Sequence, residues 1–184
     1  LSEFDLAQDN GSTLVVDGIS YTLPLGDKVT AFVSHGVEGS ALFNTACVYG
    51  GPSDTLSSCG NVSSALDEDN LRTTAGATYD FGNGITASIA YEGQGDGTSG
   101  LATKQGLDAY AGQLAYTTDN YGLSVTGARI ETSTTEDDTY TAVNAFFSPE
   151  EGGLPSISVG YEWGDDGSAP STADQTSSYF VGLQ

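Results

Sequence analysis

The chain has 184 residues and a mass of 18.8 kDa, room for one domain, and 4 Lys plus Arg against 25 Asp plus Glu leave a net charge of −21. That balance offers no basic face to neutralise phosphates, which excludes nucleic acid as a partner and a basic patch docked on anionic lipid. With 25 Gly, 10 Tyr and 7 Phe, the composition is too aromatic for a disordered acidic chain and too rich in glycine for a helical protein.

Residues 1–11 read as an N-terminal flank, and residues 12–184 as one all-β unit. Apolar runs such as Leu14-Val15-Val16 fall far short of the roughly 20 residues a membrane-spanning helix needs. A transmembrane β-strand needs only about 9–11 residues, half of them polar, so the limit does not apply to barrels. The chain opens at Leu1 and contains no Met, so the initiator and any signal peptide are expected outside it.

The period along the chain is two. Leu71, Thr73, Ala75, Ala77, Tyr79 and Phe81 alternate with Arg72, Thr74, Gly76, Thr78 and Asp80. Ile85, Ala87, Ile89 and Tyr91 alternate with Thr86, Ser88, Ala90 and Glu92; Ile157, Val159, Tyr161 and Trp163 alternate with Ser158, Gly160 and Glu162. The pattern predicts nine strands, at 12–23, 27–35, 69–81, 84–93, 107–118, 121–132, 138–148, 155–164 and 176–184. These are longer than the usual five or six residues of a soluble sandwich.

Tight turns are expected at Leu25-Gly26-Asp27, Gly82-Asn83-Gly84, Asp119 to Gly122 and Pro149 to Gly153. Between them fall polar connections at 36–68, 94–106, 133–137 and 165–175. Tyr79, Phe81, Tyr116, Tyr121, Phe146 and Phe147 stand near the short turns, whereas Tyr91, Tyr161 and Trp163 stand toward the opposite strand ends. Short turns at one end, long loops at the other and aromatics at two heights describe an antiparallel, up-and-down transmembrane β-barrel, here a partial one. Gly112, Gly127 and Thr141 weaken the lipid-facing stripe, as a subunit interface or a partial barrel would allow. A secreted soluble all-β adhesion or surface-layer module with acidic, Ca-binding loops would account equally well for the charge, but not for the segregated turns or the aromatic placement.

Cys47 and Cys59 flank Gly50-Gly51-Pro52 and fit a loop-closing disulfide of an exported protein, worth about 3 kcal/mol in the entropic model. A metal site lacks ligands, since His35 is the sole histidine, and no cofactor motif or catalytic constellation appears. An enzyme is therefore not expected. The acidic groups Asp67-Glu68-Asp69, Glu136-Asp137-Asp138 and Asp165-Asp166 fall in expected loops and lack the spaced calcium-binding pattern, leaving a general cation-attracting field. Parity assigns Arg72, Thr74, Thr78, Asp80, Thr86 and Ser88 to a lumen, joined by Glu92, Ser158 and Glu162; the carboxylates would favour cations, opposed by Arg72. Arg129 falls on the apolar parity, which requires a place near the interface or a shift of register.

The stretch Ile19-Ser20-Tyr21-Thr22-Leu23-Pro24-Leu25-Gly26-Asp27-Lys28-Val29-Thr30-Ala31 resembles the early barrel hairpin of cyanobacterial outer-membrane porins, relatives of the carbohydrate-selective porins. Ala77 to Gly84, Gln113 to Tyr116, Asp119 to Leu123, Phe147-Ser148-Pro149 and Ser156 to Glu162 are similar to hairpins of the same family. The resemblance implies a trimeric outer-membrane barrel that passes inorganic ions and small hydrophilic solutes passively; some relatives are named for iron uptake. It also implies that this chain is an internal section of a longer porin, because the family carries further strands and an N-terminal cell-wall-binding region.

Overall fold

The computed structural model describes residues 2–9, 13–44, 46–48, 73–95, 100–103, 105–131, 136–150, 154–165, 167 and 175–184, with side chains from residue 18 onward. These residues form β1 (Ser2–Asp9), β2 (Thr13–Leu25), β3 (Val29–His35), β4 (Thr73–Gly82), β5 (Ile85–Gly93), β6 (Asp108–Thr117), β7 (Tyr121–Glu131), β8 (Asp137–Phe147), β9 (Ile157–Asp165) and β10 (Gln175–Leu183). One sheet holds all ten in sequence order, and each neighbouring pair is antiparallel. The order is linear, with β1 and β10 at its two ends. Among the described residues the helical content is one 3₁₀ turn, Gly39–Leu42, and no helix is long and apolar enough to cross a membrane.

The nine strands expected from the sequence recur within a few residues of their expected bounds, with 69–72 outside the described residues. Residues 2–9, read as part of a flank, instead pair with β2 as a tenth strand. The link from β1 to β2 spans only 10–12 yet lies at the long-loop end, so the segregation of turn lengths is less strict than expected. Two acidic groups also differ from expectation, because Asp137 and Asp138 open β8 and Asp165 closes β9 rather than lying in loops.

Local chemistry explains the hairpins. At the β4–β5 turn Gly82, Asn83 and Gly84 all take positive φ, at 87°, 56° and 82°. Glycine and asparagine adopt that backbone at little cost. The Gly82 N–H donates to Asp80 Oδ1 at 2.7 Å, which fixes the small register shift between Asp80 and Gly82.

The two faces have inverted polarity. Burial along β7 alternates residue by residue, with Leu123 and Val125 exposed and Ser124 and Thr126 buried. Ile89 is 66% exposed, while Glu92, three positions along the same strand, is 1% exposed. The covered face is therefore small and polar, and the uncovered face carries the large apolar side chains. The apolar part of the covered face is a cluster of Phe43, Ala90, Ala109, Ala111, Ala128, Ile130 and Ala142, with Leu107 and Tyr140 packed alongside.

Four aromatic–glycine pairs add to the covered face. Phe32 lies directly opposite Gly76, Phe146 opposite Gly122, Tyr140 opposite Gly164 and Phe180 opposite Gly160. A Cβ on Gly76 would come within 2.6 Å of Phe32 Cε1, so each ring occupies the space its partner's missing side chain leaves. Such pairs shield the exposed glycine backbone and pin register across neighbouring strands.

Candidate functional site

Register assembles the covered face into rows. Thr78, Ser88, Gln113 and Thr126 are successive cross-strand partners, and the row continues through Ala142 to Glu162. A second row runs Asp80, Thr86, Ala115, Ser124 and Asn144. Of the residues that parity assigned to a lumen, Thr74, Ser88, Glu92 and Ser158 are buried on this face, and Thr78, Thr86 and Glu162 are half-buried there. Asp80 shares their parity but is exposed near the short turn, and Arg72 lies outside the described residues. Gln113, Ser124, Thr126 and Asn144 belong to the same face and were missed. Their signal was present, since they alternate with Leu114, Val125 and Val143.

Residues 36–44 and 46–48 cross this face. The Val37 carbonyl accepts from Thr74 Oγ1 at 3.0 Å and from Ser34 Oγ at 3.3 Å. The Leu42 carbonyl accepts from Thr78 Oγ1 at 2.9 Å and Ser88 Oγ at 3.4 Å, while the Gly39 N–H donates to Glu92 Oε1. Farther on, the Asn44 N–H donates to Gln113 Oε1 at 2.7 Å and its side-chain amide donates to Thr117 Oγ1 at 2.8 Å. The Val48 N–H donates to Ser158 Oγ at 3.1 Å. These residues thus reach from β4 to β9, held by side chains of the sheet that bond their backbone groups, and Phe43 seats among Ala90, Ala109, Ala111, Ala128 and Ala142. Cys47 among them is disulfide-bonded; the sequence's other cysteine, Cys59, lies outside the described residues.

The charges on this face are acidic. Asp80, Glu92, Asp138 and Glu162 share the inward parity, whereas Arg129 is outward and Lys28 sits in the β2–β3 turn. No lysine or arginine among the described residues faces inward. The hydroxyls of Thr86 and Ser124, neighbours but one in the second row, are buried without a protein hydrogen-bond partner. Among the described residues there is no grouping of three or more His, Cys, Asp or Glu that could hold a metal ion. His35 is exposed at the end of β3, on the outward parity opposite Ile19.

The outer face has bands of aromatics at both ends. Tyr79 and Phe81 meet edge-on with ring centres 4.7 Å apart, and Tyr116 and Tyr121 pair at 5.9 Å near the short turns. Toward the loops, Tyr91 pairs with Tyr110 at 5.3 Å and Tyr161 with Trp163 at 5.8 Å. Arg129 is outward and exposed, opposite Tyr110 and Thr139, and its guanidinium is paired with Asp137. β7 runs without a bulge, so of the two explanations open in the sequence the end-of-strand position is the one found. Roughly 27 Å of strand separates Tyr121 from Arg129 at about 3.4 Å per residue. Compared with known proteins, the chain matches no protein-family model and no curated sequence.

Proposed function

We propose that this chain is wall from an outer-membrane porin barrel, through which inorganic cations and small hydrophilic solutes diffuse without a catalytic step. The observation that carries the reading is the inverted polarity of the sheet: Ile89, Leu114, Leu123 and Val181 are half-exposed or more, while Ser124, Thr126, Asn144 and Ser158 are buried. In water a continuous apolar face of this size invites aggregation, since soluble monomers rarely expose patches beyond a few hundred Å². In a bilayer the same face meets hydrocarbon, and the pairing of neighbouring antiparallel strands satisfies the backbone between β1 and β10.

Several features agree with it. The paired aromatics at two heights suit the two lipid–water interfaces. With strands tilted about 35–45°, the run from Tyr121 to Arg129 rises about 20 Å, close to the ~25 Å apolar band of such barrels, which puts the Arg129–Asp137 pair at the interface. Residues 36–44 and 46–48 serve as a constriction on the lumen side, and water in that lumen hydrates the Thr86 and Ser124 hydroxyls. The inward carboxylates Asp80, Glu92 and Glu162 give a cation preference. The resemblance to cyanobacterial porins adds a homotrimer in the outer membrane as the assembly.

Planar-bilayer recording tests this. The protein should form water-filled channels whose reversal potential in a salt gradient lies on the cation side. A chain that stays monodisperse without detergent and leaves bilayers silent would instead be the soluble adhesion or surface-layer module.

A further inference from the structure

A groove of about 640 Å³ lies on the outer side of β8, β9 and β10, within the roughly 300–1,000 Å³ typical of small-ligand sites. Two adjacent outward rows build it. Thr141, Trp163 and Ser177 are cross-strand partners, and so are Thr139, Asp165 and Gln175; Tyr161 closes the side toward the short turns. Trp163 is exposed between the small hydroxyl residues Thr141 and Ser177, and Tyr161 tilts against its ring at 5.8 Å. The site thus offers an aromatic platform, two flanking hydroxyl groups, an acceptor carboxylate and an amide that donates and accepts.

We propose that this groove seats the sugar ring of an uncharged glycolipid headgroup, an inference that rests on the membrane-wall reading above. A pyranose presents a C–H face to an aromatic ring and a rim of hydroxyls that donate to a carboxylate and exchange bonds with Thr, Ser and Gln. A phosphate headgroup does not fit. Among the described residues no Lys, Arg or His lines the groove, so a phosphate would stand against Asp165 uncompensated; Arg129, opposite Thr139, has its guanidinium on Asp137. Position argues for a lipid over a free sugar. The groove lies in the rows of Tyr110 and Arg129, where the apolar band ends. From it a strip of exposed Tyr179, Val159, Val181, Ile157 and Leu183 descends β9 and β10, a track for acyl chains.

Trp163 is the chain's one tryptophan, so its fluorescence reports on the groove directly. The protein is reconstituted in phosphatidylcholine nanodiscs with increasing monoglucosyl diacylglycerol, and Trp163 emission is followed. The expected result is a saturable spectral change that phosphatidylglycerol does not produce. Asp165→Ala and the double variant Thr141→Val/Ser177→Ala should each raise the half-saturating lipid fraction by about tenfold or more. A change that never saturates, that phosphatidylglycerol reproduces, or that survives both variants overturns the site. A saturable response to methyl β-glucoside in place of the lipid overturns the lipid occupant. Nanodisc incorporation is scored separately by co-elution with lipid, and failure there overturns the membrane-wall reading itself.

Discussion

Replacing Ile89 by arginine separates lipid from water as the medium of the outer face. Ile89 is 66% exposed at the midpoint of β5, opposite Ala77 and Gly112, so little protein packing is lost with its side chain. At a bilayer midplane the arginine should destabilise a barrel by about 2–4 kcal/mol. That is a loss of roughly 30- to 700-fold in the folding equilibrium. The cost must also depend on depth: Leu25→Arg, at the last residue of β2 and beside a short turn, should cost no more than about 1 kcal/mol. Urea unfolding from phosphatidylcholine vesicles reads both as shifts of midpoint at constant slope. If the face is instead bathed in water, both variants should stay within about 0.5 kcal/mol of the parent. Equal, small effects at the two positions would refute the lipid assignment.

Other expectations concern the covered face. Gly76→Ala should destabilise by about 1–3 kcal/mol, because the added Cβ lies 2.6 Å from Phe32 Cε1 and 2.9 Å from the Ile89 carbonyl oxygen. Adding Phe32→Leu should recover part of that loss in the same unfolding assay, and strict additivity would argue against a shared space. Gln113→Leu removes the acceptor for the Asn44 N–H and the donor to Thr126 Oγ1, so it should cost about 1–3 kcal/mol through the groups left buried and unpaired. Cys47→Ser frees one anchor of the crossing segment and should raise single-channel conductance; an unchanged conductance would mean that the segment does not narrow the path. Asp80→Asn with Glu162→Gln should move the reversal potential toward zero, measured in the same salt gradient as the parent.

How far the sequence disclosed this arrangement depends on where the information sits. Strands β2 to β10 carry it locally: side chains such as Ile85, Ala87 and Ile89 fall on one face of a pleated strand whatever the rest of the chain does. β1 (Ser2–Asp9) lacks such a signal, for it contains no β-branched residue, and its register against β2 shifts between Asp5 and Leu6, whose partners step from Gly18 to Val16. The inward Thr74, Ser88, Glu92 and Ser158 were legible by parity, and Gln113, Thr126 and Asn144 obey the same rule. The course of residues 36–44 and 46–48 was not legible. It is fixed by backbone groups, the Val37 and Leu42 carbonyls and the Gly39 and Val48 N–H groups, meeting side chains far along the chain, and no short-range pattern encodes those meetings. The groove beside Trp163 was likewise hidden, because Thr141 and Ser177 become its neighbours only through pairing across two strands.

Spin labels placed one at a time along β7, from Leu123 to Ala128, test the central claim most directly. With the protein in phosphatidylcholine bilayers, labels at Leu123, Val125 and Gly127 should collide freely with dissolved oxygen and be shielded from a water-soluble nickel chelate. Labels at Ser124, Thr126 and Ala128 should lack that oxygen contact, so accessibility alternates with a period of two. Nickel contact at Leu123, Val125 and Gly127, or no alternation at all, would contradict a wall with hydrocarbon outside and polar groups within.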